Sequence, residues 1–582
     1  MALGRLMLAS HDVNGRPQAQ PDEVELYHRT YTTLLRSSGE THLRVLEPSH
    51  RAMRSSLHPM AADDRPDLGA FLYAVRRLPD GIAGAQVVLM GQDLDVFTAA
   101  GIDLSGWQET EAVARRRRWF DSGTGSFAVL LASASDVDDL VPTLVAFQIE
   151  SNKLRALLKS SGVDGSVAGA DGPLDRAAEL AARLGGAADD WLALQETWGE
   201  RFSQRLALVS ERQLDIRIRM LGGTHIGYAR LTRRWWARAQ ATLAAERLVG
   251  RRLYFVSSNS HSLANLLSGI AREHEAELVR HVEREGSAEL RAELEAFRAG
   301  QSRGSWENFL YYVAREYFDF SERRGAQRRA AERRAGVIHL PSRTSLRVPV
   351  QIIALASLDP RRFDPRLGEV DSERLRLSEA VIVNIDYPLG LAAYNILREV
   401  AIDVERLAGV YLLGKAATLN ADVGDVMISN VVYDEHTGST FWLDNAFSVS
   451  DLQADLRFGT GLDNQRAVTV RSTFLQNRGY LDVYYREAFT VIEMEAGPYC
   501  NAIYEIADLE RHPVGESINF AKLPIDFGLI HYASDTPFTQ ARTLGARGLS
   551  YFGMDSTYAA SLAILRRILR REGVAPARPA GG

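Results

Sequence analysis

Apolar positions recur at two different spacings along this chain, and the change from one to the other marks its elements. Over residues 21–77 the spacing is helical: Val24, Leu26, Tyr27 and Tyr31, then Phe71, Leu72 and Val75. At 85–90 the pattern becomes a continuous run, AQVVLM, and at 126–132 a second, SFAVLLA. Runs of this length fit strands buried on both faces. Each is followed by a polar turn, GQDLD or SASDVDD, and the second turn by an apolar helix over 140–158. Strand, turn and helix in succession are the signature of parallel α/β units. Ser135 or Asp136 is expected to cap that helix. Residues 162–173, GVDGSVAGADGP, read as a surface loop.

The stretch 174–248 reads as mostly helical and holds Trp191, Trp198, Trp235 and Trp236. Arg230, Arg233 and Arg234 precede the last two. A basic group beside aromatics suits an anion or a stacked base, and it equally suits a solvated helix face over buried tryptophans. RLYFV at 252–256 reads as a third strand, followed by SSNSHS and a helix over 263–270. Ser257, Asn259 and His261 therefore stand between a strand and a helix N-terminus, where free backbone N–H groups suit phosphate or carboxylate. They are candidates for a second polar pocket, the alternative being an elaborate helix cap. A Glu- and Arg-rich helix follows over 271–299, then an amphipathic helix with Phe309, Tyr311 and Tyr312. The basic run RRGAQRRAAERR at 323–334 reads as a solvated helix at a domain border.

The pattern shifts at Gly336. VIHLP, VPVQIIALA and EAVIVNI are strand-like. A division is expected near 335–345, between a helix-rich α/β N-terminal region (1–335) and a C-terminal α/β domain (336–582) with a central mixed sheet flanked by helices. The 582 residues suffice for two or more domains of roughly 100–200 residues each.

Candidate chemistry concentrates in the second domain. TVIEMEAGPY at 490–499 takes the end of a buried strand directly into a helix and carries Glu493 and Glu495 across the junction. Two carboxylates there are costly to bury without partners, and the cost falls if one of them holds a polyol such as ribose. Three other segments stand in fixed order around it. AVIVNI at 380–385 is a buried strand followed by DYPLG and a helix. AGVYLLGKAATLNADVGDVMIS occupies 408–429, and AVTVRSTFLQN occupies 467–477. After one more helix comes IDFGLIHYASD at 525–535.

In this order the segments resemble the purine nucleoside phosphorylase and nucleosidase superfamily, which includes the bacterial nucleosidases for methylthioadenosine and for AMP. GKAATL and GDVMI look like its Gly-rich turn and Gly-Asp-Val strand. STFLQN looks like its Phe-containing strand end, IEMEA like its Val-Glu-Met-Glu-Ala motif, and ASD like its final Ser-Asp. The resemblance covers roughly residues 345–575 and implies cleavage of the N-glycosidic bond of a purine nucleoside or nucleotide by water or phosphate. It implies that Glu495 holds the ribose hydroxyls, that Met494 packs under the sugar, and that Phe474 stacks on the base. Asp535 would donate a proton or hydrogen bond to the purine N7 as the bond breaks, with Ser534 orienting it or capping the chain. Gly414 and Lys415 would line the substrate site. The match departs from the family at the nucleophile. Where phosphorylases of this kind carry an arginine the chain has Leu412, and Lys415 follows Gly414 in place of a serine. Lys415 can still hold phosphate as a point charge, or it can pair with Asp386 or Asp425. This departure leaves a second function open, a non-catalytic nucleotide sensor that kept the pocket.

Composition narrows the partners. A net charge of −6 gives no basic field for nucleic acid, and the resemblance implies a small-molecule nucleoside or nucleotide as the ligand. The single cysteine, Cys500, leaves no disulfide framework and no cysteine-based zinc site, which suits the cytoplasm. No apolar stretch approaches the ~18 residues of a membrane span, and the short run in the first residues lacks the apolar core of a signal peptide. No metal or cofactor is implied, phosphate apart as a co-substrate, and the family reading points to a homo-oligomer.

Overall fold

The computed structural model describes residues 9–11, 17–19, 22–37, 39–162, 172–342, 344–507, 514–520, 523–536 and 553–576. Residues 1–8 and the 163–171 part of the Gly- and Asp-rich stretch lie outside these.

Among the described residues a two-stranded pair, Ala9–His11 with Pro17–Ala19, stands beside two larger sheets that organise the chain. The smaller has six strands in the order Thr41–His42, Arg217–Met220, Val87–Gly91, Ser126–Leu130, Arg115–Asp121 and Gln108–Ala112. The two apolar runs of the N-terminal region are its adjacent parallel pair, Val87–Gly91 and Ser126–Leu130. The helix after them, Ala134–Ser161, is buried along most of its length. Its cap is Ser133, not Ser135 or Asp136. Asp136 stands three positions on, and its carboxylate accepts the Ser133 amide in a capping box. The Ser135 hydroxyl instead accepts the amide of Leu391, 2.9 Å away, in the C-terminal half of the chain.

The larger sheet has eleven strands. Ten follow the order Val337–Leu340, Val350–Ala354, Ala380–Asp386, Arg252–Ser258, Leu407–Thr418, Val491–Glu493, Gly461–Thr469, Val426–Asp434, Ser439–Trp442 and Ser517–Asn519. The last, Asp526–Asp535, runs parallel to Leu407–Thr418 and antiparallel to Val426–Asp434. The sheet is therefore mixed, with helices on both faces, an α/β architecture as the pattern of runs implies. Met554–Arg571, Ser262–Ser268 and Trp306–Asp319 cover one face, and His225–Ala245, Ala392–Asp403 and Ala496–Ala507 the other. Fully buried side chains such as Ile382, Val383 and Val410 contribute about 1.5–3 kcal/mol each through the area they remove from water.

The division expected at residue 335 runs through this sheet. Arg252–Ser258 is parallel to Ala380–Asp386 on one side and to Leu407–Thr418 on the other. Its apolar residues, Leu253 to Val256, are at most 3% exposed. A strand apolar on both faces needs cover on both, and only a place inside a large sheet supplies that. The unit built on the larger sheet thus begins before residue 252.

Three smaller expectations meet the structure here. The charged stretch 271–299 forms two main helices, Glu275–Glu285 and Ala288–Arg298, because Gly286 ends one and Ser287 caps the next. Trp235 and Trp236 are buried, while Arg233 pairs with Glu399 and Arg234 with Asp93 and Asp95 near the surface. The basic run forms the largely exposed helix Glu322–Arg334. Among the described residues no helix is long and apolar enough to cross a membrane.

Candidate functional site

The strand Leu407–Thr418 brings the candidate residues together. Lys415 lies opposite Tyr532 and Ala417 opposite Asp535 on the parallel neighbour, and Ala417 also faces Ile492 on the short strand before Glu493. Three segments distant in sequence end at one place, near the carboxyl ends of parallel strands, where α/β sheets collect ligands. A cavity of about 340 Å³ opens there. One wall, from the larger sheet, carries Lys415, Glu493, Met494, Glu495, Ser534 and Asp535. The facing wall comes from the N-terminal region and includes Tyr73, Arg77, Arg115, Arg116, Arg117 and Asp136.

The two glutamates are built differently. Glu493 is 3% exposed. It takes a hydrogen bond from the Thr469 hydroxyl and accepts the amides of Glu495 and Ala496 at 2.6 and 2.7 Å. Its carboxyl therefore closes the N-terminus of the helix Ala496–Ala507. Burial, helped by nearby Glu495, pushes it up to about 8. Glu495 is half-buried and accepts a long bond from Gly390 N–H, 3.3 Å, with the Met494 amide also acting on it. Burial pushes it up to about 7, against the pull of those amides and of Arg115. Gly390 has φ +52°, and a Cβ there would lie 2.3 Å from Ser135 Oγ. Only glycine lets this turn press against the N-terminal helix and aim its N–H at Glu495.

Asp535 is 1% exposed, and its Oδ2 is buried without a hydrogen-bond partner. Burial raises it to about 7, opposed by Arg77, Lys415 and Ser534. A buried acid with an unpaired oxygen and a pKa near neutrality has the properties of a proton donor. Ser534 donates to the Ala416 carbonyl at 3.3 Å. Lys415 stands open to the cavity and makes no ion pair among the described residues. The protein around it still lowers its pKa by desolvation, an effect that Asp535 opposes and Arg315 reinforces.

Other candidates fall elsewhere. Gly414 sits on the strand opposite His531, and a Cβ there would meet that ring, outside the cavity lining. Phe474 is 1% exposed and packs among His50, His58 and Tyr73 of the N-terminal region, with ring centroids 5.3–6.4 Å away. Its neighbours Thr473 and Gln476 line the cavity instead. Its burial follows from the N-terminal region lying across this strand end. Ser257, Asn259 and His261 form no part of the cavity lining. Asn259 Oδ1 accepts the amides of His261 and Ser262, which is the capping arrangement. His261 contacts the Tyr558 hydroxyl at 3.3 Å, and burial holds it down at about 3, so it stays neutral. The arginines of the facing wall were not singled out from sequence, although the run RRRR at 115–118 directly before a Trp-Phe pair was a visible signal.

A family model covering residues 43–570 matches the chain, under the description "family of unknown function (DUF6909)". The chain belongs to that family. No functionally curated protein matches this DUF6909 chain. Among solved structures it is similar to a putative methylthioadenosine nucleosidase from Weissella paramesenteroides, at 13% identity and a TM-score of 0.26, over 40% of this chain and 88% of that one. It is also similar to the 5'-methylthioadenosine/S-adenosylhomocysteine nucleosidase from Neisseria meningitidis in complex with methylthio-immucillin-A. There the identity is 15% and the TM-score 0.26, over 40% and 90% of the two chains. Uridine phosphorylase from Schistosoma mansoni, in complex with 5-fluorouracil, matches at 12% identity and a TM-score of 0.27, over 41% and 80%.

Proposed function

We propose that the cavity binds a purine nucleoside or nucleotide and that this DUF6909 protein cleaves its N-glycosidic bond. The observation that carries the reading is the meeting of Glu495 and Asp535 in one cavity with different surroundings, Glu495 held by backbone amides and Asp535 with a buried oxygen that has no partner. Paired acids with distinct environments suit divided roles. Glu495, held by the backbone amides of Gly390 and Met494, has acceptor capacity left for sugar hydroxyls. Met494 beside it offers an apolar floor for the ring. Asp535 gives its proton to the purine N7 as the C1′–N bond breaks and its electron pair moves to the base. Water or phosphate adds its oxygen to C1′. With water, that oxygen becomes the anomeric hydroxyl and the second proton leaves to solvent.

One observation favours a second reading, a binding protein that turns nothing over. Among the described residues lining the cavity, Asp136 is tied to Arg117 and Glu493 to its helix end. No further carboxylate or histidine of the lining is left to activate water. Phosphate needs no such base, so a phosphorolytic route keeps the enzymatic reading intact. The test is incubation with a panel of purine nucleosides and nucleotides, with and without phosphate, and chromatography for free base. Free base only with phosphate identifies phosphorolysis, and free base without it hydrolysis. Ligand-dependent thermal stabilisation with no free base leaves the sensor.

A further inference from the structure

The arginine wall of the cavity has more charge than its internal partners account for. Arg115 grips Asp139 with two hydrogen bonds, Nε at 3.0 Å and Nη2 at 2.8 Å. Arg117 reaches Asp136 through Nε at 2.7 Å and Asp139 through Nη2 at 2.8 Å. Arg77 has no carboxylate within ion-pair distance among the described residues. Its guanidinium lies over the Tyr73 ring, 3.4 Å from the centroid, and its Nη1 donates to the Tyr73 carbonyl at 3.2 Å. Three guanidinium groups therefore share two carboxylates. Arg77 and Arg117 are each only 4% exposed, and each leaves a buried N–H without a partner, Nε of Arg77 and Nη1 of Arg117. Arg116 adds a fourth positive group at the half-open rim, paired with Asp386. Lys415 adds a fifth from the opposite wall. Of the nearby acids of the larger sheet, Asp386 offsets Arg116, while burial raises Glu493, Glu495 and Asp535 and so reduces the negative charge they set against Arg77 and Lys415.

A structural latch between strand and helix would pair its charges, because an uncompensated buried charge is expensive. An anion in the cavity removes that cost, and forked guanidinium donors fit a phosphate group. We propose that Arg77, Arg115, Arg116 and Arg117 form a phosphate subsite, so that the ligand spans the cavity with its sugar at Glu495 and its phosphate on the N-terminal wall. This rests on the nucleotide-cleavage reading and narrows it to a phosphorylated substrate. The same chemistry would hold free phosphate, and the experiment separates the two sources.

The full-length protein is titrated by calorimetry with AMP, adenosine, ribose 5-phosphate and inorganic phosphate. AMP is expected to bind at least about tenfold more tightly than adenosine, the usual worth of a charge-assisted contact. Arg77→Gln, which removes charge but keeps donors, should erase that advantage and leave adenosine within about threefold. If Arg77→Gln fails to fold by circular dichroism, Arg116→Ala at the rim should still reduce the AMP advantage several-fold. Tight inorganic phosphate with equal AMP and adenosine affinities assigns the subsite to free phosphate and overturns a phosphorylated substrate. Binding of ribose 5-phosphate but of neither purine keeps the subsite and removes the purine reading. Adenosine binding with no response to any phosphate-bearing probe overturns the subsite and leaves nucleoside cleavage standing. No binding of any probe overturns both.

Discussion

The backbone amide of Glu495 donates to the carboxylate of Glu493 across 2.6 Å. Two acids two residues apart thus have different surroundings, one closing a helix end and the other lining the cavity.

That difference separates the effects of their substitutions. Glu493→Ala orphans the Thr469 hydroxyl and two amides, and should lower stability by roughly 1–3 kcal/mol in urea denaturation. Glu495→Ala should barely change stability, yet weaken sugar binding and slow turnover together. Equal losses of stability in the two variants would contradict the assignment.

Asp535 should matter mainly in the transition state. Asp535→Asn removes the acidic proton and keeps size and hydrogen bonding, so turnover should fall by roughly 10²–10⁴-fold with ligand affinity much less changed. Turnover within a few fold of the parent would leave Asp535 as a turn residue.

The pH dependence follows from the raised acids. With Asp535 near 7 in the folded chain, its donor form is lost as pH rises through about 7, so turnover should decline above that pH. Stability should move in the same direction. Glu493, Glu495 and Asp535 bind protons more tightly folded than unfolded, so their contribution is full below their ordinary carboxylate range. It is lost between about pH 4 and 8 as the unfolded chain ionises first. Glu493→Gln should flatten that slope in thermal melts across the same range.

Gly390→Ala forces a side chain into a left-handed conformation and against Ser135. The conformation alone costs about 1–2 kcal/mol, and the displaced turn withdraws its N–H from Glu495. A drop in melting temperature should accompany weaker ligand binding. A variant as active and as stable as the parent would show that this turn does not position Glu495.

Phe474 offers a direct test of its placement. Phe474→Leu should destabilise by about 0.5–3 kcal/mol through the lost packing on Tyr73 and the two histidines, with nucleoside affinity unchanged. A selective loss of purine affinity would instead restore a stacking role.

The local pattern of the chain determined its elements and much of one cavity wall. Buried runs such as AVIVNI and RLYFV can satisfy their backbone and their apolar side chains only inside a sheet with helices on both faces. The segment IEMEA had to pass from strand to helix, and its carboxylates had to find donors at that junction. Lys415, Met494, Glu495, Ser534 and Asp535 could be picked out because each stands in the last part of a strand, or just after it, in a fixed order of segments. What lay opposite them was decided only by tertiary structure. Strand order is not written in local periodicity, so Arg252–Ser258 read as N-terminal although it pairs inside the larger sheet. Phe474 is aromatic at a strand end in either setting, and only the N-terminal region packed over it makes it core. The arginines at 115–117 show the same limit. A charged run reads as solvated until the fold lays it against a cavity, where Asp136, Asp139 and Asp386 pair with it and Arg77 is brought in beside it from another segment.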